Sequence, residues 1–164
     1  MKSTQLSRKF DWFFWVQWIF ASLLGWIIGS LFFGDLGVGI ALGILQWLIL
    51  RTRLSNAWLW IIMTAIGWGF GSLIILLVLP PHISVVPNIM LGLSIGFFQW
   101  LVLRKQVYQA WWWILVNGFA WAFSLLGYWG IIFVGGSVGL LTGITLELMV
   151  RYSDIRKPSN FHGD

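Results

Sequence analysis

Six side chains could do chemistry inside an otherwise apolar chain: Gln46, Gln99 and Glu147, and Ser22, Thr64 and Asn117. The first three lie four or five residues before Arg51, Arg104 and Arg151, about 6–8 Å along a helix. Amides and hydroxyls set among apolar residues seek one another, so the simplest expectation is an interhelical polar layer. The same residues could instead enclose a small solute or ion. Glu147 and Arg151, at i and i+4, are spaced for an ion pair. No nucleophile stands with a base and an acid, and no Gly-rich loop is placed to cradle phosphate. His82 and His162 have no companions for a metal site, and the chain has no cysteine. Catalysis, metal binding and nucleic-acid binding are not expected, and the sequence leaves any cofactor open.

The elements that must position these residues recur. Gly39–Arg51 reads GIALGILQWLILR, Gly92–Arg104 reads GLSIGFFQWLVLR, and Gly139–Arg151 reads GLLTGITLELMVR. Each has two glycines four apart and an arginine eight residues after the second, and the arginines stand 53 and 47 residues apart. Counting sixteen residues on from Lys9, Arg51 and Arg104 reaches Gly25, Gly67 and Ala120; four further on come Gly29, Gly71 and Ser124. Trp26, Trp68 and Trp121 follow the first of each pair, and Ser22, Thr64 and Asn117 precede it by three. Such register predicts a triplicated helical hairpin, with repeats over 12–51, 56–104 and 109–151 and a tail over 152–164.

Composition sets the class. Of 164 residues 9% are charged and 59% hydrophobic, against about 25% and about 45–50% in soluble domains. Apolar runs of about 20 residues can cross a hydrocarbon core about 30 Å thick. The expected fold is all-α: one polytopic transmembrane bundle of six helices, spanning Trp12–Phe33, Leu36–Leu50, Ala57–Leu79, Ser84–Leu103, Ala110–Val134 and Ser137–Val150. Turns are expected at Gly34-Asp35, Pro80–Ile83 and Gly135-Gly136, with Asp35, Asn88 and Ser137 as candidate helix caps. The second and sixth spans are short for a bilayer, so either the membrane thins locally or their turns sit sunken, which would bring Asp35 towards hydrocarbon.

All ten Lys and Arg residues lie at the N-terminus, in or beside the links between hairpins, or in the tail. Positive short loops stay inside, so both termini are expected in the cytoplasm. Tryptophans 12, 15, 18, 47, 58, 60, 100, 111, 112 and 113 fall near that side and read as an interfacial belt. Arg51, Arg104 and Arg151 should snorkel there and attract anionic lipid headgroups. In lipid, small residues permit close backbone contact. Gly39, Gly43, Gly92, Gly96, Gly139 and Gly143 are therefore expected to pack against Gly25, Gly29, Gly67 and Gly71, and against Ala120 and Ser124. The alternative is a glycine face left open to a flat ligand such as a pigment or a lipid chain.

The G-x-x-x-G-x-x-Q-W-L-x-L-R motif with a following A-W-x-W-I resembles that of a group of uncharacterised bacterial membrane proteins, frequent in cyanobacteria, which carry this hairpin in tandem. The match covers Gly39–Ile61 and Gly92–Ile114 well and Gly139–Arg151 in part. The resemblance implies a bacterial cytoplasmic (inner) membrane, or a thylakoid membrane, and carries no activity with it.

The leading expectation is a non-enzymatic integral membrane protein, an accessory or scaffold subunit that binds lipid, a larger membrane complex or further copies of itself. A second is a small-molecule transporter or its substrate-binding subunit; a third is a pigment-binding protein of a photosynthetic membrane.

Overall fold

The computed structural model describes residues 9–78, 85–123 and 131–156. Six α-helices account for most of them, and no strand occurs among the described residues: α1 Trp12–Ile28, α2 Gly34–Leu50, α3 Leu59–Val78, α4 Val86–Leu103, α5 Trp112–Phe123 and α6 Ile131–Arg156. Four helical stretches are long and apolar enough to cross a membrane: Trp12–Phe33, Leu59–Leu77, Val86–Leu103 and Phe133–Ser153. Gly37–Leu50 and Trp112–Phe123 are shorter apolar helices.

Local chemistry explains the ends. Asp11 caps α1, its Oδ1 accepting the Phe14 N–H at 3.0 Å, which satisfies one of the orphan donors of the first turn. The helix runs on through a π-helical turn, Gly29–Phe33, and reverses at Gly34, whose φ of 65° suits a residue without Cβ. α2 and α4 end alike. Arg51 and Arg104 N–H donate to the Trp47 and Trp100 carbonyls at 2.9 and 2.8 Å, and Leu54 and Val107 N–H to Leu50 and Leu103 at 2.9 Å. The link then turns at Asn56 or Gln109, each with φ 53°. Leu54 and Val107 are buried in these links, so the connections are folded into the core rather than merely polar.

Several expected boundaries are corrected. The turn expected at Gly135-Gly136 lies inside α6, which begins at Ile131 and ends at Arg156. The span expected over Ala110–Val134 therefore gives way to α5 and the start of α6. Helix α6 has 26 residues, about 39 Å, so it is not short. Glycine weakens a helix interior by only about 1 kcal/mol, and close packing repays that. A methyl placed on Gly135 would lie 2.9 Å from Leu23 Cα. Ser137 is not a cap: it sits within α6 and donates to the Val134 carbonyl at 3.1 Å. Asn88 is likewise inside α4, whose first turn holds Pro87 and no side-chain cap. α2 begins at Gly34 rather than Leu36, again without a side-chain cap. The Asp35 side chain, the turn at Pro80–Ile83, Ser124, His82 and His162 lie outside the described residues.

Helix contacts follow chain order from α1 to α6 and close with α6 against α1. Glycine governs the seams, but not by glycine meeting glycine as expected. Methyls on Gly25 and Gly67 would lie 2.8 Å from Leu42 and Ile95 Cα, each on the next helix of the same hairpin. Methyls on Gly43, Gly96 and Gly139 would lie 2.9, 3.0 and 2.9 Å from Ile61, Ile114 and Ile19 Cα, across to a different hairpin. At these five seams a small residue of one helix meets the backbone of a larger residue on its neighbour, and a glycine pair on both sides is unnecessary.

The basic end is laced together. Gln106 accepts from the N–H and hydroxyl of Ser55, both at 2.8 Å, and donates back to its carbonyl at 3.0 Å. Ser153, in the last turns of α6, accepts the Tyr108 N–H at 2.6 Å. Arg53 makes an ion pair with Asp11.

Candidate functional site

Two layers of tryptophan occupy the centre of this helix ring. Trp18, Trp60 and Trp113, from α1, α3 and α5, are 0, 0 and 1% exposed. Their rings meet pairwise with centroids 5.9, 6.3 and 5.7 Å apart, tilted or edge to face as ring quadrupoles prefer. Trp26, Trp68 and Trp121 form a second layer with centroids 5.8, 5.6 and 5.3 Å apart. The expected interfacial belt is corrected accordingly: Trp18, Trp60 and Trp113 are core, whereas Trp12, Trp58, Trp111 and Trp112 are exposed. The sequence held a signal for the core set, since each stands eight residues, just over two turns, before a member of the second layer.

Around the first layer runs the polar set. An indole N–H can only donate, so each ring needs an acceptor. Trp60 and Trp113 donate to Oε1 of Gln46 and Gln99, both at 2.9 Å. That fixes the amides: Nε2 of Gln46 donates to Ser22 Oγ at 3.1 Å, and Nε2 of Gln99 to Thr64 Oγ1 at 2.9 Å. Thr64 passes its own proton to the Trp60 carbonyl at 2.7 Å. Each glutamine therefore ties its helix to both neighbours, α2 to α1 and α3, and α4 to α3 and α5. Ser22, Gln46, Thr64, Gln99 and Asn117 are all buried.

Helix α6 solves the same problem differently. Leu146 stands three residues after Gly143, where Gln46 and Gln99 stand after Gly43 and Gly96. Trp18 instead donates to Thr142 Oγ1 at 2.9 Å, one turn away on the same helix. The repeat pattern alone does not single out Thr142. Asn117, in register with Ser22 and Thr64, faces no glutamine from α6 and donates to the Trp113 carbonyl at 2.9 Å.

Glu147 belongs to a separate cluster. Its expected pairing with Arg151 is corrected: Oε1 accepts the Asp11 N–H at 3.0 Å, and Oε2 lies 3.9 Å from Nη1 of Arg53. Arg53 also pairs with Asp11 and stacks over Phe14, 4.8 Å from the ring centroid. Three distant parts of the chain meet here: the cap of α1, the first link and α6. The carboxylate replaces a ring, since four residues before Arg51 and Arg104 stand Trp47 and Trp100. Those rings hold the guanidinium groups at 6.0 and 5.4 Å.

The interactions within the two layers are hydrogen bonds and ring packing. In the first layer each indole donor and each glutamine amide has a partner, and the hydroxyl protons of Thr64 and Thr142 are given to carbonyls of their own helices. In the second layer the Nε1 donors of Trp26 and Trp68 are buried without an acceptor. Among the described residues no group of three or more His, Cys, Asp or Glu is placed to hold a metal ion. Compared with protein-family models, with curated proteins and with solved structures, the chain matches none.

Proposed function

We propose that this chain is a non-enzymatic integral membrane scaffold: three tandem hairpins closed into a six-helix bundle, an accessory subunit that binds lipid or a larger membrane complex through its outer surfaces. One observation carries the reading. The axis, where a transport pathway or an enclosed ligand would lie, is occupied by the Trp18–Trp60–Trp113 layer, and the surrounding polar groups are bonded to it and to one another. Large apolar side chains are instead turned outward. On α1 they form a stripe of Phe13, Val16, Phe20 and Leu24. In water such a stripe is a liability, and against lipid or a partner helix it is the natural face. The hairpin repeat is supported by the like geometry of Gln46–Trp60 and Gln99–Trp113 and of the two links.

The orientation is read from charge: with the described Lys and Arg residues at one end, both termini face the cytoplasm of a bacterial cell, in its inner membrane or in a thylakoid membrane. Reporter fusions at either terminus should both read inside.

Purification of the full chain in mild detergent tests the function. Retention of lipid or of a stoichiometric protein partner, with no solute flux in proteoliposomes, is the expected result. A retained polar small molecule or measurable uptake would replace the scaffold by a carrier, and a visible absorption band would replace it by a pigment protein.

A further inference from the structure

Between α5 and α6, at the basic end, the surface opens into a cleft of about 420 Å³, within the range of about 300–1,000 Å³ typical of ligand sites. One side chain distinguishes α6 here. Counting six residues before Arg51, Arg104 and Arg151 gives Leu45, Phe98 and Thr145, so α6 carries the smallest of the three. Thr145 donates its hydroxyl to the Leu141 carbonyl at 3.0 Å, and Gln109 adds a polar group to the lining. Val116 and Leu148 continue that lining.

The mouth differs from the floor. It is ringed by Tyr108, Trp112 and Tyr152, all substantially exposed. Such rings favour the headgroup level of a bilayer, with an apolar body and a polar tip. Lys105, exposed, stands three residues before Tyr108 in the link that enters α5. A wall of Val116, Leu148 and Met149, an aromatic rim and a cation beside it match one occupant in charge and in polarity.

We propose that this cleft binds one anionic glycerophospholipid, an acyl chain lying along Val116, Thr145 and Leu148 and the phosphate beside Lys105. The proposal rests on the reading of the chain as a membrane protein and adds a single specific site to a generally basic face. A cation near an anionic headgroup contributes about fivefold to affinity.

Native mass spectrometry of the full chain released from nanodiscs of mixed phosphatidylglycerol and phosphatidylcholine reads the site directly. The wild-type chain should keep one phosphatidylglycerol, preferred about fivefold over phosphatidylcholine, and inorganic phosphate should not displace it. Lys105→Gln should cut the preference about fivefold. Thr145→Phe, which puts in α6 the residue that α4 has at Phe98, should abolish retention without lowering thermal stability. Thr145→Leu, which copies Leu45 of α2, should do the same if the larger ring misfolds. Equal retention of the two lipids by the wild-type chain, displacement by phosphate, or an unchanged bound lipid in both Thr145 variants overturns the site. Failure of the chain to enter nanodiscs at all overturns the membrane reading, which is a separate outcome.

Discussion

The indole of Trp113 donates to Oε1 of Gln99 at 2.9 Å, and the other end of that amide donates to Thr64 at 2.9 Å, so one glutamine closes two helix seams. Replacing Gln99 by Leu leaves a buried indole donor and loses the bond to a buried hydroxyl. A buried group left unsatisfied costs about 1–3 kcal/mol. Gln99→Leu is therefore expected to lower detergent stability by about that much. Gln99→Leu combined with Trp113→Phe should cost less than the sum of the two single changes, because removing both partners leaves nothing orphaned. Thermal unfolding followed by tryptophan fluorescence gives the cycle, and strict additivity would show that the bond carries no coupling.

Glycine positions divide by what a side chain would meet. Methyls on Gly43, Gly96 and Gly135 would fall 2.9, 3.0 and 2.9 Å from backbone carbons of Ile61, Ile114 and Leu23, whereas Gly136 has nothing within 4 Å. Leucine at any of the first three should cost at least the about 1–3 kcal/mol typical of overpacking. Gly136→Ala should gain a few tenths to about 1 kcal/mol, since it adds helix propensity without a clash. Equal melting temperatures for Gly135→Leu and Gly136→Leu would show that the α1–α6 seam is not a close contact.

That division also marks what the sequence could and could not tell. The depth of Gln46, Gln99, Ser22 and Thr64 was legible because polar groups in apolar helices have few places to go. Gly135-Gly136 misled, because a glycine pair reads as a turn by propensity while packing keeps it helical. Trp18, Trp60 and Trp113 misled for a related reason. Tryptophan suits both an interface and a core, and residue type alone does not choose. The partner of Glu147 lay beyond any local rule: Arg53 is on another element, and the Asp11 N–H is 136 residues away in sequence, while helix spacing pointed only to Arg151.

The Glu147 cluster predicts an asymmetry among charge removals. Arg53 lies between the carboxylates of Asp11 and Glu147, and Glu147 is 1% exposed. Arg53→Leu takes away the cation beside the buried Glu147, and breaking a buried pair on one side costs about 3–5 kcal/mol. Glu147→Gln keeps an oxygen for the Asp11 N–H and leaves Arg53 paired with Asp11, so its cost should be well below that. The double change Arg53→Met with Glu147→Met should fall between the two. Chemical or thermal unfolding of the three variants in one detergent orders them, and a Glu147→Gln variant weaker than Arg53→Leu would contradict the geometry.

The two tryptophan layers make the same volume change informative in opposite ways. Trp60 is fully buried and its N–H is bonded to Gln46, whereas Trp68, 2% exposed, has a buried N–H with no acceptor. Replacement by Phe removes similar ring volume from either layer, so the packing loss largely cancels in the comparison. What remains is polar. Trp60→Phe strips the carbonyl of Gln46 of its donor, while Trp68→Phe removes a donor that was already unsatisfied. Trp68→Phe is therefore expected to be the milder change by about 1–3 kcal/mol. Trp26→Phe should behave like Trp68→Phe, its Nε1 being buried and unpartnered as well. Parallel melts of the three variants decide it: if Trp68→Phe costs as much as Trp60→Phe, the second layer has an acceptor for its indole and the contrast between the layers fails.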